Sequence, residues 1–388
     1  QKAGIDPGEI IYSGVGKSTL VHEIHGPITE QRGYFIEGKF DQFQRNIPYQ
    51  AFVQAFSFFI QQILTESEAK LQEWKVELRE ALGENGGIIT TLIPDFELIV
   101  GKYEKPTSLN PLESQNRFNY TFLKCIKVLA TKEHPMVFFM DDMQWTDLAS
   151  LALLKQIVLD ESIKHLLLIL SYRDNETPAD HPLMSLLSEL RQLDKELVNI
   201  NLQGLTQKDA GNLLKDSFKK EEVEIENLAK LLIKKTDGNP YYINEFLRSL
   251  YINNLIFWDN ETNTWGWDEV KINEATVTEN VVQFLARRLL SFSADTLKLS
   301  QYAASIGNKF KVSLLLKIVD LPEDYVNQIL SGLMEDGYLV PLHHDKDNPQ
   351  SAECRFTHDR FQQAVYSQIS NEQKAVIHHH IGKELLKN

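Results

Sequence analysis

Seven residues, Ser13-Gly14-Val15-Gly16-Lys17-Ser18-Thr19, constrain this chain more than any other stretch. They follow a short apolar run, Ile10-Ile11-Tyr12, and lead into a segment of helical character from Leu20 to Ile24. Strand, glycine-rich turn and helix in that order give the context of a phosphate-binding loop. The glycines let backbone N–H groups turn inward around an anion, and the helix adds its positive N-terminal end at the same point. Lys17 is then placed to reach the β- and γ-phosphates of ATP, and the Ser18 hydroxyl to ligate Mg²⁺. The full pattern also asks for glycine at position 11, where this chain has Ile11. A β-branched side chain does not adopt the positive-φ conformations that glycine offers, so the loop entry departs from the usual one. Gly-Lys-Ser-Thr by itself also fits an ordinary surface turn, and the reading depends on a partner motif downstream.

That partner is Pro135-Met136-Val137-Phe138-Phe139-Met140-Asp141-Asp142. Five successive apolar residues read as a strand buried on both faces, as in parallel sheets. Carboxylates at the C-terminal end of such a strand stand where open α/β sheets bind ligands. Asp141 is the candidate for holding Mg²⁺ through its water shell, and Asp142 for orienting or deprotonating an attacking water. Two aspartates that merely open a turn are the plainer alternative, and the upstream loop weighs against it. A further buried strand, His165 to Tyr172, ends in Arg173-Asp174. Arg173 is a candidate sensor of the γ-phosphate; a surface ion pair with Asp174 or Glu176 explains it equally well.

Around these motifs the pattern is that of alternating strands and helices. Gly33 to Phe40 reads as a second strand, closing a βαβ unit, and Leu197 to Leu202 as a fifth that completes the sheet. Residues 49–130 are helical in period and form an insert between strands two and three. Phe52, Phe56, Phe59, Ile60 and Ile63 fall on one face and read as core, and Asn110, Pro111 and Glu113 open a helix with a capping box. Beyond residue 205 come three helices, with Asp237-Gly238-Asn239-Pro240 as a stop followed by a Pro-initiated start. An aromatic-flanked hairpin lies at 259–268. Residues 278–336 return to helices, and two short strands, Gly337 to Leu342 and Cys354 to Thr357, give the order of a winged helix. The domains expected are thus 1–204, a nucleotide-binding core with its insert; 205–277, a helical lid plus hairpin; and 278–388, a winged-helix-like domain.

At 388 residues the chain is too long for one ordinary core. Its net charge of −14 argues against holding nucleic acid as its main task, and the candidate recognition helix, Pro322 to Asp336, has four acids and no Lys or Arg. No apolar run reaches the roughly eighteen residues of a membrane span, and no signal peptide is visible, so a cytoplasmic chain without membrane contact is expected. Gln1 at the start suggests a piece of something longer. Cys125 and Cys354 sit in apolar surroundings and read as small buried hydrophobes. His378-His379-His380 fan out around a helix and do not converge on one metal ion.

Taken together these stretches resemble the STAND class of signal-transduction ATPases, within the AAA-like P-loop NTPases. They are similar above all to the ATPase module of bacterial, often cyanobacterial, multi-sensor kinases. The resemblance rests on Gly14 to Thr19, on Lys39-Phe40-Asp41-Gln42-Phe43-Gln44-Arg45-Asn46-Ile47-Pro48-Tyr49, and on Asp141-Asp142-Met143-Gln144-Trp145-Thr146-Asp147. It continues through Tyr172 to Glu176, Gly238-Asn239-Pro240 and Phe356-Thr357-His358-Asp359-Arg360. It implies an α/β P-loop core, a parallel sheet with helices on both faces, followed by an all-α lid and a winged helix. It further implies ATP and ADP with Mg²⁺ as ligands, slow regulatory hydrolysis, and an ATP-dependent switch, with self-association in the ATP state. Kinase, GAF or histidine-kinase domains of a longer parent chain are the implied partners. By the same resemblance Pro240 packs on the adenine and His358 touches the β-phosphate of ADP. A non-catalytic scaffold with a degenerate loop is the competing reading, favoured by Ile11 and opposed by the paired aspartates.

Overall fold

The computed structural model describes residues 15–42, 47–104, 110–274, 289, 292–343, 352–357 and 359–387. The described residues divide into two compact units, Gly16–Leu202 and Gln203–Asn388, Val15 being grouped with the second.

In the first unit the helices α1 (Lys17–His22) and α2 (His25–Glu30) precede strand β1 (Tyr34–Lys39). The helical insert then runs through α3 (Gln50–Ile63), α4 (Glu68–Leu82), α5 (Gly86–Leu92), α6 (Glu97–Val100) and α7 (Pro111–Leu129). Strand β2 (Met136–Asp141), helix α8 (Leu148–Leu159), strand β3 (Leu166–Leu170) and helix α9 (Pro182–Gln192) complete it. The sheet has the order β1-β2-β3, all parallel, with Lys39 opposite Asp141 and Met140 opposite Leu170. Every residue of β2 is buried, as its unbroken apolar run requires of a central strand. Alternate side chains go to opposite faces: Phe138 and Met140 join the large core under the insert, while Val137 and Phe139 pack with Ile28 and Phe35 under α1 and α2. Phe52, Phe56, Phe59, Ile60 and Ile63 are fully buried, so the aromatic run of α3 is core. Helix α7 starts at Pro111 as read, the Asn110 side chain accepting from Glu113 N at 2.9 Å, while the return bond from the Glu113 side chain that a capping box needs does not form.

Three expectations need correction or lie out of reach. Leu197 to Leu202 forms no strand; Val198 and Ile200 are 80% and 70% exposed, and β3 pairs only with β2 among the described residues. An extended apolar alternation becomes a strand only when a neighbouring backbone takes its hydrogen bonds. The segment after the loop is two short helices, not one, broken ahead of Gly26-Pro27. The first strand, Ile10-Ile11-Tyr12, lies outside the described residues, as do Ser13 and Gly14.

The second unit opens with α10 (Gln207–Phe218), α11 (Glu222–Thr236) and α12 (Pro240–Ile252), then the hairpin β4 (Ile256–Asp259) and β5 (Thr264–Trp267), and α13 (Glu269–Glu274). Thr206 and Asp209 form a reciprocal capping box on α10. The stop at Asp237-Gly238 is real: both residues have positive φ, and a side chain at Gly238 would lie 2.3 Å from the Leu205 carbonyl oxygen. Asn239 then caps α12, with Pro240 at its first position. Trp265 and Trp267 pack the hairpin against Phe218, with ring centroids 5.4 and 6.0 Å away.

Helix α14 (Ala294–Ile306), strand β6 (Lys309–Lys311), helices α15 (Val312–Ile318) and α16 (Glu323–Glu335), and strands β7 (Leu339–His343) and β8 (Glu353–Phe356) follow. The antiparallel sheet order is β6-β8-β7. Strand β6 went unread because three residues carry no periodicity. Helices α17 (Asp359–Ser367) and α18 (Asn371–Leu385) end the chain.

Candidate functional site

The side chains that the motifs singled out in the first unit meet where its parallel strands end. Gly16 has φ +94°, which only glycine adopts without strain, and α1 begins at once with Lys17. Ser18 Oγ donates to Asp141 Oδ2 at 3.0 Å, so the glycine-rich turn and the end of β2 are directly joined. Burial and the neighbouring Arg173 push the Lys17 ammonium pKa down, against the pull of Asp141, Asp142 and Glu176.

Asp142 is the most elaborately held residue of the group. It is 3% exposed and sits in the left-handed region at φ +55°, which aspartate tolerates better than most residues. Gln144 Nε2 donates to its Oδ1 at 2.9 Å, Arg173 lies 3.5 Å from the same oxygen, and the Lys39 ammonium pairs with Oδ2 at 3.1 Å. Burial alone would push this carboxyl up; Lys39 and Arg173 outweigh it and hold it down at about 2. Its backbone N–H donates to Asp141 Oδ1 at 3.0 Å, which fixes one aspartate against the other.

Arg173 is neither on the surface nor unpaired. It is 4% exposed, bonds Glu176 at 2.6 Å, and places its guanidinium 5.1 Å from the centre of the Trp145 ring. The Glu176 pair expected of a surface arginine is thus present, but buried and joined to Asp142. His181 supports the turn from below: its Nε2 donates to the Gln144 carbonyl at 3.1 Å while its Nδ1 accepts from Leu183 N, which fixes the tautomer. Ser171 continues the ladder, its N–H donating to Met140 O and its carbonyl accepting from Met143 N.

Sequence reasoning brought Lys17, Ser18, Asp141, Asp142 and Arg173 to this place. It missed Lys39, Gln144, Glu176 and His181 as site residues. The signal for Lys39 was available: it ends the strand that runs parallel to β2, in register with Asp141. Val15 is half-buried and Thr19 exposed. Gly14 and His358 lie outside the described residues, and Pro240 belongs to the second unit.

A magnesium ion fits these residues. Ser18 Oγ and Asp141 Oδ2 are two hard oxygen donors side by side, the sparse protein set Mg²⁺ uses when water and phosphate complete its shell. Gln144 Oε1 and Ser171 Oγ are buried without a partner among the described residues, as expected where bonding is completed by something from outside. No group of three or more His, Cys, Asp or Glu able to hold a metal occurs among the described residues, which excludes an all-protein cage there. No helix there is long and apolar enough to cross a membrane.

The model of the AAA ATPase domain family matches residues 12–169. Over 97% of its length the chain is 24% identical to hybrid signal transduction histidine kinase G of Dictyostelium discoideum, of which it covers 13%. It is 23% identical over 96% of its length to the peroxide stress-activated histidine kinase mak2 of Schizosaccharomyces pombe, covering 16%. The chain therefore spans less than a fifth of the curated relatives it matches. Among solved structures, a signal transduction ATPase with numerous domains (STAND) protein with a tetratricopeptide repeat sensor, from Pyrococcus horikoshii, superposes with a TM-score of 0.45 at 15% identity. That likeness covers 97% of this chain and 42% of the other. Cdc6p of Pyrobaculum aerophilum gives 0.36 at 11% identity, over 96% of this chain and 86% of its own. The matched stretch contains the glycine-rich turn, the insert and the paired aspartates, and over it the chain is similar to the AAA ATPase domain family.

Proposed function

We propose that this chain is an ATP-operated switch that binds ATP with Mg²⁺ and hydrolyses it slowly, and that it regulates kinase or sensor domains joined to it. The observation that carries the reading is the bond from Ser18 to Asp141, with Lys17 beside both acids. In this reading Gly14 to Thr19 cradle the phosphates, and Lys17 neutralises charge on the β- and γ-phosphates. Ser18 and Asp141 hold Mg²⁺, which when bound supplies charge stabilisation to the transferring phosphoryl group. Asp142 orients the attacking water, and Arg173 senses the γ-phosphate.

Pro240 and His358 enter only through the family resemblance, as contacts to adenine and to the β-phosphate of ADP. For His358→Ala faster ADP dissociation is expected, and an unchanged rate removes that role. The histidine kinase relatives support a kinase context, and the threefold domain division at about 204 and 277 is part of the same proposal. The acidic helix α16, with Glu323, Asp324 and Glu335, supports a protein that works without nucleic acid. Cytoplasmic location and self-association in the ATP state complete the reading.

A switch demands differential affinity: moving a population from about 1:99 to 99:1 requires about 5.5 kcal/mol between the two states. Calorimetric titration of ATP and ADP, each with Mg²⁺, into the chain and into Lys17→Ala tests the foundation. Binding that disappears in the variant is expected, and phosphate release then measures turnover. Undiminished affinity in Lys17→Ala refutes the site. Binding without turnover, together with the fully engaged carboxylate of Asp142, would favour the non-catalytic scaffold.

A further inference from the structure

Lys39 belongs to none of the roles above, yet its ammonium lies between the two acids. It is 3.1 Å from Asp142 Oδ2 and 3.9 Å from Asp141 Oδ2. The second of these oxygens is the one that accepts from Ser18 Oγ. A lysine cation and the proposed metal ligands therefore share one carboxylate oxygen. The placement follows from strand register. Lys39 and Asp141 are opposite each other at the ends of neighbouring parallel strands, so their side chains leave the sheet on the same face.

The backbone that carries Lys39 is held by α3, and its side chain by the two acids. Lys39 N donates to Gln54 Oε1 at 3.0 Å, and Gly38 lies so close to α3 that a Cβ there would be 2.1 Å from the Ala51 carbonyl oxygen. The side chain is 30% exposed. The charged groups around it are Asp141 and Asp142, with Lys17, Arg173 and Glu176 in the same cluster. In the resting site each acid of this set is matched by a base, so a divalent cation reaching Asp141 meets an acid pair already partly neutralised. Two cations on one oxygen repel strongly at such distances in a buried setting.

We propose that Lys39 is an internal competitor for Mg²⁺ at the acid pair, and that it sets how much free Mg²⁺ the site needs before it holds a nucleotide. The ammonium leaves Asp141 as the ion arrives and moves onto Asp142 or outward. This rests on the nucleotide reading of the same site, and deepens it by naming the residue that regulates metal entry. Lys39 acts here as a positioning residue and not as a catalytic one.

The test is a Mg²⁺ titration of the whole chain at fixed N-methylanthraniloyl-ADP, following the probe's fluorescence and requiring no turnover. In Lys39→Met and Lys39→Gln the half-point for Mg²⁺ should fall about tenfold relative to the unsubstituted chain, since a full charge has been removed about 4 Å from the metal's oxygen. Lys39→Arg, which keeps the charge, should stay close to the unsubstituted chain. An unchanged or raised half-point in both neutral variants overturns the proposal while leaving nucleotide binding intact. If the unsubstituted chain holds no probe at any Mg²⁺ concentration, the nucleotide reading itself fails and this inference falls with it. The unsubstituted arm alone distinguishes the two failures.

Discussion

The two units bury polar groups for different purposes. In Gly16–Leu202 the buried set includes Asp141, Asp142, Gln144 and Arg173, three of them charged and all at the ends of parallel strands. In Gln203–Asn388 the buried polar residues among those described are Thr236, Asn239, Ser300, Ser305 and Gln362, none of them charged. Each of these bonds backbone. Thr236, Ser300 and Ser305 donate to carbonyls four residues back, Asn239 caps α12, and Gln362 donates to Ala304 O. Such bonds close local accounts and ask for nothing from outside. Buried charge is far more expensive and persists only where several partners hold it. Among the described residues the contrast sets a cluster of buried charge in the first unit against local polar bonds in the second.

Arg173→Ala should have the largest effect on that contrast. It leaves Asp142 and Glu176 short of their shared cation, and a loss of about 3–5 kcal/mol is expected, read as a lowered urea midpoint. A loss near zero would mean the network is not a buried one. Gly38→Ala comes next, at about 2 kcal/mol, because its new methyl group meets the rigid Ala51 carbonyl; a neutral result would show that α3 yields there. Asn239→Ala should cost only about 1 kcal/mol through the lost cap. If it matched Arg173→Ala, the division between charged and local polar burial would not hold.

The smallest effect concerns a property the units share. Burial pushes the Cys125 thiol up to about 12, and burial with Glu353 pushes Cys354 up to about 11. Both folded-state values lie above the roughly 8.5 of an exposed thiol, so the folded chain retains protons that the unfolded chain loses. Their stability contribution is intact below that value and declines as pH rises toward 11 or 12. Thiol alkylation at pH 8 should therefore label the urea-unfolded chain and spare the native one. Rapid native labelling of either cysteine would show local opening around it.

Much of the site was readable because its chemistry is carried by local strings. Gly16-Lys17-Ser18 announces itself by composition, and Asp141-Asp142 by position after an unbroken apolar run. The Asn110 cap was equally legible, since it acts within three residues of itself. Arg173 was readable as a strand-end residue but not as a buried one, because Asp142 and Trp145 reach it from the turn after β2 and Glu176 from its own turn. Leu197 to Leu202 misled for the same reason reversed: apolar alternation signals a strand only if another backbone lies alongside.

The sequence by itself determined which strand is central, where α7 and α12 start, and that the long insert packs through its phenylalanines. Those are consequences of side-chain chemistry and period, which act over a few residues. The tertiary structure alone decided that Lys39 stands beside Asp141, that Asp142 has both oxygens engaged, and that Arg173 is buried between two acids. Strand register and the meeting of turns far apart in the chain set those distances, and no short stretch of sequence encodes either.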